Sequence, residues 1–133
     1  IDLKEGFPTF APLQVGFDAT SFEAVSENDA LFIRTSDGKV GKASAADGTL
    51  ENATVVGFAR ENASINSTVK VIVVGLKTMS GLNAGDLHFL SPSTAGEITT
   101  TAPSRAGQAV VRVGESVSTT EFAIQPEPPI LLS

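Results

Sequence analysis

His88 is the one histidine of the chain, and there is no cysteine. Imidazole and thiolate are the groups best suited to proton transfer, nucleophilic attack and transition-metal binding near neutral pH. The chain therefore has no thiol nucleophile, no thiolate metal site and no disulfide framework. His88 stands between Leu87 and Phe89 in a stretch that reads as a strand, so its side chain points away from both. That placement suits a structural or surface histidine better than a general base. None of the many serines sits in a Gly-x-Ser-x-Gly elbow. The carboxylates Asp18, Glu23, Glu27, Asp29, Asp37 and Asp47 are scattered over turns, and none follows calcium-loop spacing. Gly75, Gly81 and Gly85 form no phosphate cradle ahead of a helix. The residues point to no catalytic group, no metal ligand and no cofactor, and the chain reads as a non-enzyme. Asn-x-Ser/Thr tripeptides at Asn52, Asn62 and Asn66 read as surface loops.

Charge narrows the partners. Nine Lys and Arg against fifteen Asp and Glu give a formal net charge of −6 over 133 residues. Phosphate backbones need clustered cations, and the chain has no basic run, so nucleic acid is not expected as a partner. No basic amphipathic stripe or membrane-length apolar run points to a lipid bilayer. Asp2 and Glu5 flank Lys4 with no apolar core after them, which is not signal-peptide chemistry. Ile1 is no initiator, so the expectation is a start that was cut, processed or left out of the numbering.

The elements that would position any site are strands. Val69-Lys70-Val71-Ile72-Val73-Val74 packs five β-branched residues into six positions, with apolar residues on both parities, so both faces should be covered. Elsewhere short Val, Ile and Phe runs alternate with Gly, Asp, Asn, Ser and Pro at intervals of roughly 8–12 residues, the pattern of a sandwich or barrel. The expectation is an all-β domain with at most one or two short helical turns, a small β-sandwich or barrel over residues 23–125.

That domain reads as doubled. Asn28-Asp29-Ala30-Leu31-Phe32-Ile33 matches Gly85-Asp86-Leu87-His88-Phe89-Leu90. Asp37-Gly38-Lys39-Val40 matches Ala95-Gly96-Glu97-Ile98, and Lys42-Ala43-Ser44-Ala45 matches Thr100-Thr101-Ala102-Pro103. Val55-Val56-Gly57-Phe58-Ala59 matches Arg112-Val113-Gly114-Glu115-Ser116, and Thr68-Val69-Lys70-Val71 matches Glu121-Phe122-Ala123-Ile124. Shared order at a near-constant offset marks an internal duplication of a small β unit, in halves of about 24–75 and 80–125. Asp29 and Asp86 hold equivalent places, where a carboxylate bonds to turn backbone. Whether the halves make one sandwich or two barrels stays open.

Both ends differ from this domain. Residues 1–22 carry Phe7, Phe10 and Phe17 among Pro8 and Pro12, an extended arm with apolar anchors. Residues 126–133 are a Pro-rich spacer ending in Ile130, Leu131 and Leu132. Either end could fold back on its own domain or lie on a neighbouring chain. These eight residues are the candidate partner contacts.

Gly85-Asp86-Leu87-His88-Phe89-Leu90, the Gly96-Glu97-Ile98 hairpin, Thr99-Thr100-Thr101-Ala102-Pro103-Ser104 and Gln108-Ala109-Val110-Val111-Arg112-Val113-Gly114 resemble segments of small structural proteins of tailed bacteriophages. The group they are most similar to is the head decoration, or cement, proteins around that of phage lambda. The resemblance spans residues 24–133. It implies a β-rich virion protein that forms a homotrimer and binds the major capsid protein on the outer surface of the shell, clamping capsomer junctions and stabilising the head. Phage tail, collar and fibre proteins carry similar repeats, so an adaptor in one of those parts is the alternative.

Overall fold

The computed structural model describes residues 14–46 and 49–133. Phe7, Pro8, Phe10 and Pro12 lie outside them, as does the expected Asp47-Gly48 turn. The elements are β1 (Gln14–Thr20), β2 (Ala30–Ile33), β3 (Val40–Lys42), α1 (Leu50–Ala53), β4 (Gly57–Ala59), β5 (Thr68–Thr78), β6 (Leu87–Leu90), β7 (Ile98–Thr99), β8 (Ala109–Val110), β9 (Arg112–Ser116), β10 (Glu121–Ile124) and β11 (Ile130–Leu131). The protein is all-β, a curled antiparallel sheet with one short helical turn.

The sheet order is β3-β2-β4-β5-β10-β9-β6-β7, with β1 added on β5, while β8 and β11 pair separately. Taken from its two ends, this order repeats: β3-β2-β4-β5 corresponds to β7-β6-β9-β10. The register repeats with it. Ala30 pairs with Phe58 and Leu31 with Gly57; 57 residues on, Leu87 pairs with Glu115 and His88 with Gly114. Loop hydrogen bonds follow: Ala59 N donates to Asp29 O and Ser116 N to Asp86 O, both at 2.9 Å. The duplication read from scattered Gly-Asp and Val-Gly matches is thus a duplication of pairing.

Those Val-Gly matches have a steric cause. A Cβ on Gly57 would lie 2.3 Å from Ile72 O, and one on Gly114 2.1 Å from Ala123 O. The neighbouring strand crosses each site too closely for any side chain. In the hairpins, Gly38 (φ 74°) and Gly96 (φ 85°) occupy the left-handed positions that let β2 turn into β3 and β6 into β7.

β5 spans the seam between the halves. Ile72 has Gly16 of β1 and Phe58 of β4 as partners, and Glu121–Ile124 pairs with the far end of β5 over Gly75–Thr78. Both faces are covered at its start: Ile72 enters the main core, while Val69 and Val71 enter a smaller one with Val25, Leu31, Val40 and Ala59. Coverage stops short of Val74, which is 45% exposed.

The halves share one core. Phe32, Phe58 and Ile72 pack in the same cluster as Leu90, Val111, Val113, Phe122 and Ile124. Phe58 and Phe122, both fully buried, meet edge to face at 5.6 Å across the boundary. Burying each ring contributes about 1.5–3 kcal/mol, and the pair geometry adds about 0.5–1.5 kcal/mol. The two halves therefore form one body around a curled sheet, not two separate barrels.

Candidate interaction surface

Gln14–Thr20, the last part of the segment read as an arm, is strand β1. It pairs along its whole length with β5, from Gln14 opposite Gly75 to Thr20 opposite Thr68, with a bulge between Val15 and Gly16. Gln14 Nε2 donates to Leu76 O at 2.7 Å, and Asp18 meets Lys70 at 3.4 Å. Among the described residues β5 is the only strand bonded to β1, and none of them pairs with its other edge.

An unpaired edge presents a row of N–H and C=O groups to any extended segment that approaches. Soluble chains usually blunt such edges with charge. Here the strand carries Val15, 52% exposed, directly opposite Val74, and Phe17, 39% exposed, opposite Val71. A shallow groove beside them is lined by Gln14, Phe17, Arg60 and Lys70. The arrangement offers backbone bonds for attachment and apolar side chains for register.

The C-terminal tail is docked by its backbone and not by its apolar side chains. Ile130 pairs with Val110 and Leu131 with Ala109. Gly107 N donates to Leu132 O at 2.8 Å, and Leu132 N to Gln108 O at 2.9 Å. Ile130 is nevertheless 64% exposed and Leu131 43% exposed, with Leu132 half-buried. Pro126, Pro128 and Pro129 wall a groove with Leu50 and Val55. The main chain follows the fold-back reading, and the Ile130 and Leu131 side chains stay exposed.

His88, Ser116 and Asp29 are bonded within the fold. His88 is buried, and its Nε2 lies 2.6 Å from Ser116 Oγ. This is nucleophile–base spacing, but Ser116 is fully buried and His88 Nδ1 has no hydrogen-bond partner to orient the ring. Burial pushes the imidazole below its ordinary pKa, with the Asp86 carboxylate pulling the other way. The ring is held instead by Phe122, which it meets edge to face with centroids 5.2 Å apart, and Ser116 is sealed from solvent. Asp29 Oδ2 accepts from Ser26 N at 2.8 Å, the turn role expected of it, and burial raises its pKa. Among the described residues no three acidic, histidine or cysteine side chains cluster to hold a metal ion.

Sequence reading missed three groups: Ser116, the Val74 partner of Val15, and a buried lysine, Lys77, ion-paired with Glu27. The signal for Ser116 was available. The repeat offset places His88 and Ser116 where the first half has Leu31 and Ala59. The pairs Val15–Val74 and Glu27–Lys77 are far apart in sequence and carry no local mark.

No protein-family model matches the chain, and no curated protein matches it.

Proposed function

We propose that this is a virion structural protein of a tailed bacteriophage, a head decoration protein that binds the major capsid protein on the outer shell as a homotrimer. The observation that carries the reading is β1: a strand edge unpaired among the described residues, bearing exposed Val15 and Phe17 and leading back into residues that include Phe7 and Phe10. A doubled β body with one core supplies a stiff mount. Extended apolar ends supply several weak attachments, which multiply into high avidity when three copies engage one lattice. The net charge of −6 suits a surface that meets protein and not packed DNA. The same design would serve a tail, collar or fibre adaptor, since that role needs the same stiffness and adhesion.

Removal of residues 1–13, upstream of the first described strand, tests the attachment. The truncated chain should unfold at an unchanged temperature but fail to co-sediment with capsid shells. Full occupancy by the truncated chain would rule out the arm as the attachment. Immunogold label over heads supports decoration, whereas label over tails transfers the reading to the adaptor.

A further inference from the structure

We propose that Lys77 and Asn28 form an intramolecular amide cross-link assisted by Glu27, because the Lys77 amine and the Asn28 carboxamide share the Thr78 carbonyl and the Glu27 carboxylate lies on that amine. Lys77 lies in β5, and its side chain is only 7% exposed. Its Nζ sits 2.5 Å from Glu27 Oε2 and 3.5 Å from Thr78 O. Asn28 Nδ2 donates to the same Thr78 O at 3.4 Å. The amine and the carboxamide are thus gathered around one oxygen, with a carboxylate on the amine.

Two features of Asn28 point to more than a turn residue. Its Oδ1 is buried with no hydrogen-bond partner. Native structures rarely leave a buried carbonyl unsatisfied, and such a group calls for a reason. Its backbone is left-handed at φ 74°, a conformation asparagine adopts more readily than most residues, and this orients the side chain toward β5. The second half has Gly85 at the equivalent position, so the constellation belongs to the first half alone.

The chemistry balances without an outside reactant. Glu27 takes a proton from the Lys77 ammonium, leaving an amine with a free lone pair. The amine attacks Asn28 Cγ, whose oxygen carries the developing negative charge. The Nζ–Cγ bond forms, the Cγ–Nδ2 bond breaks, and Nδ2 leaves as ammonia. It takes up the second amine proton and then the one held by Glu27, departing as ammonium. Holding both groups in one fold makes the reaction intramolecular, which lowers its entropic cost. The product staples the turn before β2 to β5. It would serve a cysteine-free domain as a disulfide serves a secreted one.

Mass spectrometry of the purified full-length protein decides this. The intact mass should fall short of the sequence mass by one ammonia. A tryptic digest should give a branched peptide joining the segments that contain Asn28 and Lys77, with no cleavage after Lys77. Lys77→Met and Asn28→Gly, which keep the apolar stem and the left-handed backbone respectively, should show their full sequence masses. Glu27→Gln should drop the linked fraction at least tenfold. A full intact mass with normal cleavage after Lys77 overturns the proposal. So does ammonia loss with that cleavage intact, since it marks a succinimide at Asn28. A Glu27→Gln protein that links completely overturns the role of Glu27.

Discussion

His88 Nε2 lies 2.6 Å from Ser116 Oγ at the place where the first half of the chain sets Leu31 against Ala59. A buried apolar pair in one repeat is a buried polar pair in the other. The polar version satisfies one ring nitrogen and leaves Nδ1 without a partner. Replacing both members by their first-half counterparts removes the unsatisfied group along with its partner. His88→Leu with Ser116→Ala should therefore match or exceed the parent in stability, by up to about 1–2 kcal/mol. Ser116→Ala alone should cost about 1 kcal/mol or more, since it strands Nε2 as well. Denaturant unfolding of the three proteins checks the ordering.

The same histidine ties stability to pH. Its folded-state pKa is lowered by burial, so below the unfolded value of about 6.5 the unfolded chain binds more protons than the folded one. Its contribution is fully present above that value and is lost as the pH falls from there toward the depressed folded value. The His88→Leu, Ser116→Ala protein should lose less stability than the parent between pH 7 and pH 5. Melting curves across that interval measure the difference, and parallel pH profiles would contradict it.

Gly57 and Gly114 face the same obstruction, a neighbouring carbonyl 2.3 and 2.1 Å from where a Cβ would stand. Alanine at either should cost at least about 2 kcal/mol. Gly114→Ala should cost more, because φ there is 155°. Chemical denaturation of both variants tests whether the repeat extends to the energetics.

One shared core predicts one unfolding transition. Phe122→Ala, in the second half, should lower the midpoint of the whole protein by about 3–5 kcal/mol of stability, and Phe58→Ala should do the same. Calorimetry showing two separable transitions, with only one moved by each substitution, would mean that the halves fold apart.

Much of the fold was legible because local chemistry declares it. Asp37-Gly38 and Ala95-Gly96 announce hairpins, and Val69 to Val74 announces a central strand, whereas the close crossing at the two Val-Gly matches shows only in the fold. Matching Thr68–Val71 with Glu121–Ile124 missed the register. By pairing, Val71 corresponds to Phe122, since these residues sit opposite Ala59 and Ser116. The connection over residues 60–67 is longer than that over 117–120, and sequence offset cannot fix register across loops of unequal length. Gln14–Thr20 read as an arm because Gly16 and the prolines before it interrupt the pattern. Its partners in β5, from Thr68 opposite Thr20 to Gly75 opposite Gln14, are remote in sequence and compensate. Phe17, Ile130 and Leu131 stood out as apolar residues in poorly patterned surroundings, and all three are exposed. Lys77 gave no warning, because Glu27 meets it only in the folded chain.

The central claim is adhesion through the edge of β1, and co-sedimentation of a Val15→Lys, Phe17→Lys protein with empty capsid shells tests it most directly. Both side chains are exposed, so the substitutions should leave the melting temperature nearly unchanged. Loss of two apolar contacts, each worth about 1.5–3 kcal/mol when buried, predicts a fall in affinity of at least tenfold. Shells that bind the substituted and parent proteins with equal occupancy and affinity would contradict the account.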